Sequence, residues 1–337
     1  VTSTAMTTLL AGPTQVALRP SFEGSNISFA IGFKHVNYLA EAAVLEHFRS
    51  AGLAPGVLYE KFGLGFDVVH LTTRLGSVIH GDDSVKCEVR PTTEDGDTTL
   101  GFAVTMSVDR DGRETKAVTS KVRVALRIDD HVKPAEPVPA ELAAFAVPRL
   151  ATAAPQPLTA RPGTSLDLTT GRGTTGPDPV LDELVAGRNA FGWKWRVPYF
   201  YCHFSERMHM SGFLRVLEEV VDLFLAERGL PIRPVLHGRG WIPVVTRSEV
   251  ELVDEVLMEE DLYTVYTVQD VFKDLLYTST MDCYVVRDGN LVPVATGTIT
   301  HGYMTEREAN DWALVNFDED ALAALRGERA AQPAGVA

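Results

Sequence analysis

The chain has 337 residues, room for about two domains at roughly 100 to 200 residues each and too many for a disulfide-stapled miniature. Its 45 acidic side chains outnumber the 31 basic ones, giving a formal charge of −14; the sign is opposite to that of proteins that track phosphate backbones, so no nucleic-acid partner is expected. No apolar run reaches the ~18 to 20 residues of a membrane span, and no basic segment precedes an apolar core at the start, so a soluble, cytoplasmic protein with no membrane partner is expected.

The opening VTSTAMTTLLAGPTQ reads as a loose N-terminus. A strand-like run from Ser21 to Phe33 leads to the helical pattern YLAEAAVLEHFRSAG, ending at Gly52, a residue suited to a left-handed helix cap. Strands are expected at Phe66 to Leu75, Ser84 to Pro91, Leu100 to Asp109 and Lys116 to Ile128, where apolar residues alternate or run together with β-branched ones. Ten of the nineteen prolines then fall between Ile128 and Pro198, which marks a long connection with room for a short helix over Val180 to Ala190 and a turn at Glu141 to Ala146. The second half repeats the order: strand Lys194 to Phe204, helix Phe213 to Arg228, and strands Val244 to Val253, Leu262 to Val268, Tyr277 to Val286 and Val292 to Tyr303. Ala321 to Ala337 shows no apolar period and reads as a fraying tail. Cys87, Cys202 and Cys283 lie far apart without CxxC spacing and read as buried small hydrophobes.

Sliding one half on the other by 177 positions aligns residues 52–125 with 229–302 without a gap. Few aligned pairs are identical, but the shared residues sit at structural punctuation: Gly52-Leu53 meets Gly229-Leu230, Gly63 meets Gly240, and Arg110-Asp111-Gly112 meets Arg287-Asp288-Gly289. An Asp-Gly pair between strands is a hairpin signal, because glycine supplies the positive φ of the turn. The expected organisation is an internal duplication: domains over 15–128 and 191–305, a connection over 129–190, and an extension over 306–337.

HVNY at His35 to Tyr38, GFDVVHLTTRL from Gly65, DDSVKCEVRP from Asp82, the two RDG turns, FSERMHMSGFLRVLEE from Phe204 and VPVATGTITHGY to Tyr303 together resemble the 4-hydroxybenzoyl-CoA thioesterase-like branch of the hotdog superfamily. The resemblance implies an α+β fold of two hotdog domains in one chain, each a long helix wrapped by an antiparallel sheet, forming a pseudo-two-fold double hotdog. It implies thioester chemistry on acyl-CoA or acyl-carrier-protein substrates; the Ala-, Gly- and Arg-rich, Lys-poor composition suits a fatty-acid or polyketide pathway, the histidines show no ligand spacing with one another so that no metal or cofactor is expected, and a homodimer is left open. Many family members carry an aspartate four residues before the motif histidine; this chain has Ile31 and Ser205 there, with Glu206 the nearest carboxylate.

Thioester hydrolysis needs a carboxylate to activate water and donors for the developing oxyanion, and a helix N-terminus supplies such donors. In hotdog proteins the central helix starts at the site, so the expected catalytic groups lie in its first turns. Glu41 shares an apolar stripe with Leu45, Phe48 and Gly52, and Glu218 with Leu214, Val221 and Leu225; the two are equivalent at the 177 offset. A carboxyl on such a stripe is costly unless paired, and desolvation raises its pKa toward that of a useful general acid or base. His35 and His209 are expected in the loops feeding the helices, with Asn37 and Tyr38 beside the first and Ser211 beside the second as groups for water or the thioester carbonyl. His203-Phe204, Ser211-Gly212-Phe213 and Glu218 approach a dehydratase pattern without its proline. Glu219 reads as a solvent-side ion-pair partner of Arg215.

Hydrolysis is the first reading, dehydration or isomerisation of a β-hydroxyacyl thioester by His203 or His209 with Glu218 the second, and a non-catalytic acyl-binding module the third. From Arg228 to Ser248 the chain holds Arg228, Arg233, Arg239 and Arg247 and no acidic residue. This stretch, expected as a loop, could receive CoA phosphates or the acidic face of a carrier protein through Arg233, Arg239 and Arg247, since arginine suits bidentate phosphate contact.

Overall fold

The structure, a computed structural model, describes residues 2–160, 177–202, 205–308 and 311–328. They form two compact units, one comprising Val1–Ala151 with His209–Ser211 and Glu249–Glu255, the other Thr152–Met208, Gly212–Ser248 and Val256–Ala337. No described helix is long and apolar enough to cross a membrane.

The first unit opens with α1 (Thr2–Ala11) and β1 (Thr14–Leu18), continues through α2 (Phe33–Ser50) and α3 (Pro55–Phe62), and completes its sheet with β2 (Leu64–Leu75), β3 (Val85–Pro91), β4 (Leu100–Arg110) and β5 (Arg113–Ile128). The strands lie in the order β1-β3-β4-β5-β2, all antiparallel. The apolar face of α2 packs on this sheet: Phe48 meets Phe66 at 5.0 Å and Phe102 at 5.5 Å between ring centroids, which places the core between helix and strands. That arrangement is the hotdog.

The N-terminus is not loose. Leu9 is buried, and His47 ties α1 to α2 by donating Nε2–H to the Leu9 carbonyl (2.8 Å) while Nδ1 accepts from the Thr14 hydroxyl (2.7 Å). The leading strand is Thr14–Leu18 and not Ser21 to Phe33; Pro20 has no N–H for a ladder, and the chain beyond it folds into two 3₁₀ turns, Phe22–Gly24 and Ile27–Phe29.

The connection contributes α4 (Ala140–Ala143), β6 (Ala146–Val147), β7 (Gln156–Pro157) and α5 (Pro179–Val185). The second unit follows with β8 (Ala190–Arg196), α6 (Met210–Glu227), α7 (Ile232–Arg239), β9 (Ile242–Leu252), β10 (Asp261–Phe272), β11 (Leu276–Arg287), β12 (Asn290–Glu308), β13 (Asp311–Leu314) and α8 (Glu319–Arg326). Its sheet runs β8-β10-β11-β12-β9. Here too the leading strand is shorter than expected, because Pro198 ends it and a 3₁₀ turn, Tyr199–Tyr201, replaces its last residues. The segment 319–326 is a helix and not a frayed tail: Asp318 caps it, Gly327 ends it, and Ala321, Ala324 and Leu325 are buried. The three cysteines are free and buried.

The 177 offset governs the backbone in detail. Helices 33–50 and 55–62 recur at 210–227 and 232–239, and the 3₁₀ turn at 22–24 recurs at 199–201. Gly63 and Gly240 end the second helix of each half with φ of 66° and 67°. A β-bulge between Met106 and Ser107 recurs between Cys283 and Tyr284.

Candidate functional site

Gly32 caps α2, whose first three turns carry His35, Asn37, Tyr38 and Glu41. Asn37 is 1% exposed and braces the helix: its amide donates to the Phe33 carbonyl (3.0 Å) and accepts from the Thr73 hydroxyl (2.6 Å), which also meets Ser120 at 2.8 Å. One turn later Glu41 is partly buried and makes no hydrogen bond or ion pair among the described residues. Burial, with the nearby charge of Asp67 second, pushes its carboxyl up to about 7. Asp67 on β2 was missed from the sequence. It interrupts the apolar run of GFDVV, but only the tertiary fold brings it to Glu41.

His35 lies on the first turn of α2 and not in a feeding loop. Its ring is buried, edge-on to Tyr38 at 5.1 Å, over Gly24, where a Cβ would come within 2.7 Å of His35 Cγ. Tyr38 donates its phenol to the Ser211 carbonyl at 3.1 Å. His209, partly buried, immediately precedes α6, and with Met210 and Ser211 it belongs to the first unit. The structure therefore gathers Glu41, Asp67, Tyr38, His35 and the 209–211 segment in one unit, with Asn37 as a brace beneath.

In the motif position four residues before His209, Ser205 is buried, and its hydroxyl accepts from the Arg207 N–H at 3.2 Å. Glu206 and Met208 pair through their backbones with Met258 and Val256, which fixes the approach to α6. His203 lies outside the described residues. Gly212 packs against Tyr201, whose Cδ1 a Cβ would approach to 2.9 Å, so this glycine serves close packing. Glu218 is partly buried on α6, but the surroundings of Glu41 are not repeated about it: at the 177 offset Asn37, Asp67, Thr73 and Ser120 become Leu214, Val244, Val250 and Gly297.

The arginine-rich stretch is not a loop. It contains α7, and two of its cations are engaged within the second unit. Arg239 pairs with Asp318 at 2.6 Å over the Trp241 ring, and Arg228 meets Glu227 at 3.3 Å over Phe224. Arg233 is exposed and makes no ion pair among the described residues; Arg247, exposed on β9, has an interaction of its own within the protein.

Residues 197–325 match the model of the thioesterase-like superfamily. No curated protein sequence matches the chain. Among solved structures, a 12:0-ACP thioesterase of Umbellularia californica superposes with a TM-score of 0.55 at 10% identity, covering 90% of this chain and 94% of its own. A Lactobacillus plantarum protein provisionally described as an oleoyl thioesterase superposes with a TM-score of 0.54 at 12% identity, over 89% of this chain and 100% of its own. The likeness is one of fold, two hotdog domains in a single chain, and the resemblance drawn from the sequence motifs stands.

Proposed function

We propose that the protein hydrolyses an acyl thioester, delivered on CoA or an acyl carrier protein, with Glu41 as general base. The observation that carries this reading is the partly buried, unpaired Glu41 carboxyl, held near neutrality where it can both take and return a proton. Glu41 deprotonates a water as that water attacks the thioester carbonyl; the C–S bond then breaks, the acyl group leaves as the free acid, and the proton on Glu41 passes to the departing thiolate.

The oxyanion needs donors, and the first turn of α2 is too distant to supply them. Glu41 lies eight residues beyond Phe33, about 12 Å along the helix axis. The start of α6 is better placed. Ser211 touches Tyr38, one turn before Glu41, and the N–H groups of Met210 and Ser211 open a helix and have no intrahelical acceptor. In this reading His209 flanks those donors, Tyr38 fixes them through the Ser211 carbonyl, and Asn37 and His35 hold α2 in position. Of the arginines singled out in the sequence, Arg233 remains the candidate for receiving the phosphates or acidic face of the acyl donor.

Product analysis of saturated and 3-hydroxyacyl thioesters tests the reaction. Free acid from both is expected, with a loss of at least ~10²-fold in kcat/KM for Glu41→Gln. An enoyl thioester as product would replace hydrolysis with dehydration, and undiminished turnover in Glu41→Gln would remove this carboxyl from the mechanism.

A further inference from the structure

In a protein of formal charge −14, the sheet face of the first unit that is turned away from α2 is basic. Thr73 and Ser120 lie on the helix side, where the Thr73 hydroxyl meets both Asn37 and Ser120. Strand alternation therefore turns their neighbours Thr72, Arg74, Thr119 and Lys121 outward. The ladder registers carry that outer face across the sheet: Lys121 and Arg90 both stand opposite Ala103, Arg123 opposite Gly101, and Lys86 and Lys116 both opposite Ser107. Arg74, Lys86, Arg90, Lys116, Lys121 and Arg123 are all exposed. Three of them are engaged: Lys86 with Glu114 at 2.9 Å, Arg90 with Glu88 at 2.6 Å and Arg123 with Asp97 at 3.6 Å. The remaining acid of the face, Asp109, accepts from the Gly112 N–H at the hairpin end, and Glu249 beside the face is taken by His70 at 3.0 Å. Arg74, Lys116 and Lys121 make no ion pair among the described residues.

The duplication shows whether the fold requires these charges. At the 177 offset the six positions hold Glu251, Tyr263, Thr267, Pro293, Thr298 and Thr300, none of them basic. The same sheet thus forms without a basic face in the other half of the chain. Like charges on neighbouring strands repel, and Lys121, opposite Thr72, is the diagonal neighbour of Arg74. Between the cations stand only short side chains, Thr72, Ala103, Thr105, Ser107 and Thr119, so the charged heads rise clear of a flat floor. Folding gains nothing from the three unpaired cations, whereas an acidic partner would neutralise them.

We infer that this outer face docks an acidic protein surface, that of the acyl carrier protein delivering the thioester. The inference rests on the thioester reading above and commits it to delivery by a carrier. Cations spread over β2, β3 and β5 on a flat face fit a broad acidic surface better than the compact phosphates of CoA, and such complementarity steers encounter and fixes register. A nucleic acid fits less well, because no Phe, Tyr or Trp stands among the cations to stack a base and the formal charge of −14 repels a long polyanion. The face is also at a useful place. Thr73 braces Asn37 in the early turns of α2 while Arg74, the next residue, points outward, so a carrier seated there lies at the end of the unit that holds Tyr38 and Glu41.

Titration calorimetry of the full chain tests the inference apart from catalysis. The probes are a bacterial fatty-acid carrier protein bearing an octanoyl group through a non-hydrolysable amide, and the matching octanoyl-CoA thioether. Arg74→Glu with Lys121→Glu should weaken binding of the loaded carrier by ~10-fold or more, leave the CoA thioether unaffected and leave the melting temperature in place. Arg74→Lys with Lys121→Arg should keep the carrier bound. Lys133→Glu with Lys273→Glu, two exposed lysines off this face, makes the same change in net charge and should have little effect. Absence of carrier binding, equal losses in the two double reversals, or equal losses for carrier and CoA thioether would each overturn the inference. So would tighter retention of a DNA duplex or of phosphatidylglycerol vesicles than of the carrier by the same cations. Failure of the thioester reading is recognised separately: the carrier then binds through Arg74 and Lys121 while its octanoyl thioester is not hydrolysed.

Discussion

The ring of Tyr201 occupies the space that Gly212 leaves open on α6, and the same contact exists in the other half with its partners exchanged. There the large residue is His35 on the helix and the small one is Gly24 in the 3₁₀ turn; Gly24 and Tyr201 are equivalent at the 177 offset, as are His35 and Gly212. Each half needs one ring between turn and helix start, and each supplies it from the opposite side.

Gly24→Ala and Gly212→Ala should therefore each cost about 1–3 kcal/mol, as overpacking does. Urea unfolding measures this. In a His35→Ala background the cost of Gly24→Ala should largely vanish, because the ring that the new Cβ would strike is gone. An undiminished cost in the double variant would place the strain elsewhere.

Glu41 should leave a signature in stability as well as in rate. Its folded pKa of about 7 lies above the ordinary 4.5, so between those values the folded state binds the proton that the unfolded state has released. Stability falls as pH rises through that window, by about 3 kcal/mol in order of magnitude, and Glu41→Gln abolishes the loss. Chemical denaturation should show the variant and the parent alike near the acid end and the variant more stable above neutrality. The pH dependence of kcat/KM should rise to a plateau through about 7, since only the carboxylate accepts the proton from water.

His47 makes the opposite prediction for the N-terminal helix. Burial lowers its pKa against the smaller upward pull of the Leu9 carbonyl, so the unfolded chain takes up the proton first as pH falls. The stabilisation is full above the ordinary 6.5 and is lost below it. Hydrogen exchange corrected for intrinsic rates should show α1 opening more readily at about pH 5 than at about pH 8, and His47→Phe should remove that difference.

Arg233 and Arg239 should separate in function. Arg239→Glu sets a carboxylate against Asp318 and Asp320, so it should loosen α8 and lower the melting temperature. Arg233→Glu touches no internal partner and should raise KM for a CoA- or carrier-linked substrate while sparing a short N-acetylcysteamine thioester. Equal KM effects on both donors would show that Arg233 does not receive the carrier. Because the contact would be solvent-exposed, the KM effect should shrink as salt rises above roughly 0.1 M.

The long helices, the sheet strands and the duplication were readable because their signals are local: apolar periods, Asp-Gly turns and capping glycines. The short helices α3 and α7 passed unnoticed although Pro55 at the start of the first and Gly63 at its end are an ordinary signature. Eight residues hold too few turns for an apolar period to show. Helix α1 has threonines where a helix favours alanine or leucine; it owes its form to Leu9 and to the His47 bond, contacts made across 38 positions. Glu41 could be found from its stripe. Asp67 could not, since its meaning depends on which strand comes to lie beside the helix.

The assignment of Glu249–Glu255 to the first unit has a consequence for dissection. Arg127, only 12% exposed, pairs with Glu255, whose carboxylate also receives the Leu150 N–H, and Arg149 forks onto the buried Asp254. A gene divided at the proline-rich connection would thus give a front fragment with a half-buried guanidinium stripped of its counter-ion, a loss of about 3–5 kcal/mol where such pairs are broken. The chain is sutured: ten residues from the back half of the message, His209–Ser211 and Glu249–Glu255, complete the front. Any circular permutant or split version intended to fold must therefore carry that stitch along with residues 1–151.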